Sequence, residues 1–233
     1  MKTIGLIGGM SWESRLSYYK LLNEEVKTQR GGLHSAKLVL YSVDFAPIAA
    51  FQSQGKWEDA AQIIQDAALR LERAGAEVIL LCTNTMHKIL PLITPHISTP
   101  FLHIADATAL ALKAHHKHKP ILLGTRFTMQ EDFYKKVLAT HGIDVVVPNE
   151  SECEIINTII YDELCLGNIK SSSQRAYLDI IERLSKEDTK IDSVILGCTE
   201  IGLLLHQENS FLPLFDTTLL HAKHAVKIAL SSL

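Results

Sequence analysis

Four segments of this chain are unbroken apolar runs of strand length: Thr3-Ile4-Gly5-Leu6-Ile7, Glu77-Val78-Ile79-Leu80-Leu81-Cys82, Pro120-Ile121-Leu122-Leu123-Gly124-Thr125 and Ser193-Val194-Ile195-Leu196-Gly197-Cys198. A strand with one wet face alternates apolar and polar residues. One without alternation has to be covered on both faces, as in a parallel sheet. Parallel neighbours are joined by long crossovers, usually helices. The intervening segments fit that role. Ser11 is placed to cap a helix reaching about residue 30. Ile63, Ile64, Ala67, Ala68 and Leu71 recur at helical spacing, so a helix is expected over 57–74, ended by Gly75. Further strands are expected over 37–43, 100–103 and 143–147, the last stopped by Pro148. Helices are expected over 104–117, 150–166 and 173–186. Thr128 with Glu131 reads as a capping box for a helix that Gly142 ends, and Asp216 as the cap of a final helix.

The chain has 233 residues, enough for one large domain or two small ones. Its net charge of −3 leaves no electrostatic footprint for nucleic acid. No apolar run has the length of a membrane span. The first apolar run is short, ends in glycines and lacks a small-residue cleavage site, so it reads as a strand and not a signal peptide. The expected location is the cytoplasm. There Cys82, Cys153, Cys165 and Cys198 should be free thiols. No C-x-x-C pair supports zinc.

The two halves echo each other. Lys2-Thr3-Ile4-Gly5-Leu6-Ile7-Gly8 resembles Lys119-Pro120-Ile121-Leu122-Leu123-Gly124, and Ile79-Leu80-Leu81-Cys82-Thr83 resembles Val194-Ile195-Leu196-Gly197-Cys198. Lys2 and Lys119 are 117 residues apart, Thr83 and Cys198 115. The expected fold is α/β, with two pseudo-symmetric lobes, each a parallel sheet flanked by helices. The first lobe should comprise residues 1–103 and 211–233, the second 104–210. Ligands bind beyond the carboxyl ends of parallel strands, which selects Met10, Ser42, Thr83, Thr125 and Cys198, and a cleft between the lobes as the active site.

Gly197-Cys198-Thr199-Glu200 is the strongest chemical signal. A thiol where a strand gives way to a helix meets backbone N–H groups and the helix dipole, which lower its pKa. The plainer reading is a buried structural cysteine. Asn84 and Thr85, in Thr83-Asn84-Thr85-Met86-His87, can donate to a carboxylate, or simply cap the next helix. His115-His116-Lys117-His118 has no second ligand cluster and reads as the polar end of a helix. His87 and His103 read as core or supporting histidines. Gly5-Leu6-Ile7-Gly8-Gly9 matches no nucleotide fingerprint.

These two turns resemble the paired signatures of the aspartate/glutamate racemases, usually Cys-Asn-Thr and Gly-Cys-Thr. The resemblance extends over the whole chain through the Gly-Gly-Met-Ser-Trp-Glu opening at 8–13, Ser42-Val43-Asp44-Phe45, Leu102-His103-Ile104-Ala105-Asp106 and Leu123-Gly124-Thr125-Arg126. It implies inversion of acidic amino acids, L-aspartate or L-glutamate, with no pyridoxal phosphate, other cofactor or metal, often in a homodimer. One departure stands out: Thr83 occupies the place of the first cysteine, and Cys82 precedes it. A strand's two-residue period lets only one of them face a substrate. A bulge could bring Cys82 there; otherwise Cys82 packs inward and Thr83 faces the substrate. The resemblance assigns Cys198 to the proton of the L-enantiomer, leaving Thr83 to deliver on the other face, with turnover from L faster than from D. Met10, Gln52, Asn84, Thr85, Thr125, Thr199 and Glu200 are the expected substrate contacts. Glu200 stands where glutamate racemases have histidine, to meet the ammonium or tune Cys198. Gln52 is otherwise a solvated loop residue. Two alternatives stay open: a single-cysteine decarboxylase like the arylmalonate decarboxylases, and a binding relic that lost its first acid/base group.

Overall fold

A computed structural model describes residues 1–10 and 13–231, the side chains of 13–16 apart. Ser11, expected as a cap, lies outside the described residues. The chain divides into two units, residues 1–104 with 221–233, and residues 105–220.

The first unit holds a parallel sheet of β1 (Ile4–Gly8), β2 (Leu38–Ser42), β3 (Val78–Leu81) and β4 (Phe101–Leu102), in the order β2-β1-β3-β4. Helices α1 (Glu13–Arg30), α2 (Phe45–Ser53) and α3 (Trp57–Arg73) join the first three strands. Alternate residues of the central strands serve different cores. Ile7, Ile79 and Leu81 pack with Ile64, Ala68 and Leu71 of α3. Ile4, Leu6, Leu80 and Cys82 pack with Tyr18, Leu22 and Val26 of α1 and with Ala222 and Val226 near the C-terminus. Both faces are therefore covered, which is why these strands carry no polar alternation. Burying each Leu or Ile contributes roughly 1.5–3 kcal/mol. Gly9 closes β1 at φ +118°, and a Cβ there would lie 2.1 Å from the Val43 carbonyl oxygen, so the turn accepts only glycine.

Helix α2 was absent from the sequence expectation. Asp44 caps it through the Ala46 N–H at 3.2 Å. Pro47, which reads as a breaker, falls in the first turn, where no intrahelical N–H is needed. Gly75 ends α3 as expected, at φ +85°.

After the short α4 (Leu90–Ile93), α5 (Ile104–Ala114) leads into the second unit. Its parallel sheet comprises β5 (Pro120–Gly124), β6 (Ser193–Gly197) and β7 (Leu214–Asp216), in the order β5-β6-β7. The expected strand over 143–147 is a single parallel bridge, Ile121 to Val146. The sheet is followed or flanked by α6 (Arg126–Gln130), α7 (Asp132–Thr140), α8 (Glu150–Asp162), α9 (Ser171–Glu187), α10 (Ile201–Leu204) and α11 (Thr217–Leu230). Asp216 caps α11 through Thr218 N–H and Leu219 N–H, as expected. The chain rejoins the first unit at His221 and not at 211, because β7 adds a third strand on β6. The expected capping box is not formed: α7, the helix that Gly142 ends, has Glu131 as its cap residue with no side-chain cap bond, and Thr128 lies buried inside α6, which Thr125 caps. The histidine tract lies past the end of α5, with His116 in the left-handed region at φ 54°.

Candidate functional site

Strand registers place Thr83 and Cys198 at equivalent points of their own sheets. In the first unit Leu81 stands opposite Ile7. In the second Leu196 stands opposite Leu123. Ile7 precedes Gly8 as Leu123 precedes Gly124 at the strand ends. Two residues past Leu81 is Thr83; two past Leu196 is Cys198. By the same count Cys82 corresponds to Gly197. Cys82 is 1% exposed among Leu6, Tyr18 and Leu80, with Sγ 3.8 Å from the Leu80 carbonyl oxygen.

The backbone of Thr83 is tied at both ends. Its N–H donates to Leu81 O at 2.8 Å. Its carbonyl meets His87 Nδ1 at 2.7 Å. The residue is half-buried. Asn84 and Thr85 are buried beside it. Asn84 makes no side-chain cap for the following 3-10 turn, Thr85–Ile89; its carbonyl takes the His87 N–H at 3.1 Å.

Cys198 is held by a carboxylate. Its Sγ donates to Glu200 Oε2 at 2.9 Å, and Thr199 Oγ1 donates to the same oxygen at 2.6 Å. Glu200 is 3% exposed. The sequence reading expected a lowered thiol pKa. Burial instead pushes the Cys198 thiol well above its ordinary range, and the negative charge of Glu200 pushes it further. The helix meant to lower it, α10, is a single turn. Burial pushes the phenols of Tyr161 and Tyr177 up in the same way, so both stay protonated.

The remaining expected contacts are placed as follows. Met10 is buried in the α3-side core. Gln52 is not a solvated loop residue: it lies in α2, buried, with Nε2 2.9 Å from Met86 Sδ. The Thr125 hydroxyl lies 3.2 Å from that of Thr128 and accepts the Thr128 N–H at 3.4 Å, so it serves the cap of α6. His87, which the sequence reading left among supporting histidines, is the residue that grips Thr83. Its spacing of four from Thr83 is the signal that points to it. Among the described residues no cluster of three or more His, Cys, Asp or Glu could hold a metal ion. Among them no helix is long and apolar enough to cross a membrane.

A family described as Asp/Glu/hydantoin racemase matches residues 7–225. The broad specificity amino-acid racemase RacX of Bacillus subtilis (strain 168) is 29% identical over 168 residues, covering 72% of this chain and 71% of its own. A crystal structure of a candidate Asp/Glu racemase from Yersinia pestis is 50% identical, with a TM-score of 0.90 over 99% of this chain and 100% of its own. An aspartate racemase homologue from Pyrococcus horikoshii OT3 is 37% identical, with a TM-score of 0.83 over 98% of this chain and 99% of its own.

Proposed function

The chain belongs to the Asp/Glu/hydantoin racemase family, and from that premise we propose that it inverts the α-carbon of acidic amino acids, L-aspartate or L-glutamate, using Cys198 and Thr83. It is an amino-acid racemase, an isomerase. The observation that carries the assignment of residues is the shared register: Thr83 and Cys198 each stand two residues past equivalent partner positions, while Cys82 matches a glycine. Inversion takes a proton from one face of a carbon and returns one to the other, and a repeated fold supplies one group for each face.

Cys198 rests as a thiol with its proton directed at Glu200 Oε2. That carboxylate is the acceptor through which the thiol becomes a thiolate when the positive ammonium of the substrate arrives nearby. The thiolate then removes the α-proton of the L-enantiomer. Thr83 donates its hydroxyl proton to the opposite face and is reprotonated through water by the proton left on Glu200, which restores the carboxylate. A hydroxyl titrates far above a thiol, so kcat from L exceeds kcat from D, with KM higher in the same ratio because the two enantiomers are equal in free energy. Asn84, Thr85 and Thr199 bind the α-carboxylate, where negative charge develops. Met10 contributes its backbone N–H, and Gln52 and Thr125 shape their own turns behind these contacts. The reaction needs no pyridoxal phosphate, and the active form is a cytoplasmic homodimer.

Proton NMR of L- and D-aspartate and glutamate in deuterated water tests the reading. Cys198→Ser should abolish α-proton exchange from the L-enantiomer. Thr83→Ala should abolish formation of the D-enantiomer. Cys82→Ala should keep most of both. Equal kcat values from the two enantiomers in wild type, or loss of activity in Cys82→Ala with Thr83→Ala active, would overturn the assignment.

A further inference from the structure

His87 lies four residues beyond Thr83, in the 3-10 turn, with 2% of its surface exposed. Its two ring nitrogens face backbone groups of opposite character. Nδ1 is 2.7 Å from the Thr83 carbonyl oxygen, and Nε2 is 3.2 Å from the Ile104 nitrogen. A carbonyl can only accept and an N–H can only donate. Nδ1 therefore donates to Thr83 O and Nε2 accepts from the Ile104 N–H, with the Leu102 carbonyl a further acceptor beside the ring. A doubly protonated ring would aim a second N–H at the N–H of Ile104. Burial, followed by the neighbouring rings of His103 and His221, also drives the pKa of His87 well below its ordinary value.

The surroundings reinforce this arrangement. His103 and His221 stand with ring centroids 4.5 and 6.0 Å from that of His87. His221 faces the Leu102 carbonyl with Nε2 at 3.0 Å and the Tyr18 hydroxyl with Nδ1 at 2.9 Å. By the same logic it carries its hydrogen on Nε2. Two neutral rings of opposite tautomer thus tie α1, the end of β4 and the start of α5 to the Thr83 turn.

We infer that His87 is a positioning residue for Thr83, its ring bridging the Thr83 carbonyl and the Ile104 N–H so that the Thr83 hydroxyl keeps one direction. The inference rests on the reading that Thr83 is the second acid/base group. The reason is mechanical. Thr83 N–H is already bound to Leu81 O, and His87 binds the other end of the residue. With both peptide groups fixed, the direction of Cα–Cβ is fixed too. Without the ring, the Thr83–Asn84 peptide is free to rotate and the hydroxyl moves with it. A flexible side chain can donate to Thr83 O but cannot hold both partners at once as rigidly as an imidazole.

Nitrogen-15 NMR of the histidine rings and kinetics of three variants test this. In wild type near neutral pH, His87 should show the neutral Nδ1–H form. His87→Phe should slow inversion of L-substrate by about tenfold or more, the scale of a small misplacement. Its KM, and the exchange of the L α-proton with retention, which needs only Cys198, should stay within about twofold in the same protein. His87→Asn, whose amide can donate to Thr83 O without the rigid bridge to Ile104, should recover the inversion rate only in part. Tyr18→Phe removes a hydrogen bond from the same buried cluster without touching Thr83; it should lower the melting temperature and leave kcat per folded molecule unchanged. A ring found as the Nε2–H tautomer or as a cation overturns the inference. So does a folded His87→Phe protein that inverts at the wild-type rate, or one whose inversion and retention exchange fall by the same factor. If Thr83→Ala and Cys198→Ser still invert substrate, the functional reading itself fails, whatever the His87 variants do.

Discussion

The turn at Thr83 and the turn at Cys198 share a register and differ in how they are held. At Thr83 the grip is on the backbone: Leu81 O on one side, the His87 ring on the other. At Cys198 the grip is on the side chain, through a buried carboxylate that also takes the Thr199 hydroxyl. The difference follows from the chemistry each side chain can perform. A thiol changes charge in an accessible range, so its environment tunes its proton. A hydroxyl does not, so only its direction can be improved. In the proposed reading, the second turn tunes a proton and the first fixes a direction.

The comparison breaks most sharply if the first turn receives a thiol. Thr83→Cys should raise turnover from the D-enantiomer by about 10²-fold, the scale of general acid–base catalysis, and bring the two directions closer. Rates measured from each enantiomer decide it; no change would mean that Thr83 does not face the substrate.

The shared register also predicts unequal tolerance at Cys82 and Gly197. A Cβ on Gly197 would lie 2.8 Å from Leu123 O and 2.8 Å from Leu122 Cδ1. Gly197→Ala should therefore cost about 2–3 kcal/mol, an overpacking penalty, read by urea denaturation. Cys82→Ala removes one buried sulfur and should cost about 1–2 kcal/mol with activity retained.

Acid should weaken the first turn's support. His221 is pushed down to about 3 by burial, and His87 is lowered by burial and its neighbouring rings. The unfolded chain takes protons on both below about pH 6.5, while the native state does not. Their contribution to stability is therefore intact above that pH and lost progressively as pH falls toward the folded values. Each ring adds a slope of roughly 1.4 kcal/mol per pH unit. Replacing both by asparagine should flatten the fall in denaturation midpoint between pH 6 and pH 4, about the window these rings span.

The smallest effect sharpens the electrostatic half. Glu200→Gln removes the charge that raises the Cys198 thiol, so its alkylation by iodoacetamide should titrate at lower pH than in wild type. Unchanged titration would mean that burial alone sets the thiol.

The sheets were legible because coverage on both faces leaves a local mark: runs such as Ile79-Leu80-Leu81 hold no polar residue. The correspondence of Thr83 with Cys198 was legible for the same reason, as a near-constant offset between two such runs. Helix α2 was not, since Pro47 masks its start and its apolar residues show no clean face. Strand β7 was not, since three residues carry no periodicity. The Thr128–Glu131 box was not realised because the segment forms two helices, with Thr128 buried inside the first and Glu131 between them.

What the sequence alone determined is what depends on neighbours along the chain: the strand–helix alternation, the two repeated strand ends, and the side chains that stand on them. Tertiary structure decided the sign of the shift at Cys198, the service of Gln52 and Thr125 within their own units, and the hold of His87 on Thr83. Those depend on distances of a few ångströms between groups and on the exclusion of water around them. Coulombic and hydrogen-bond energies are set by exactly such separations and by burial, and neither quantity is written in the order of the residues.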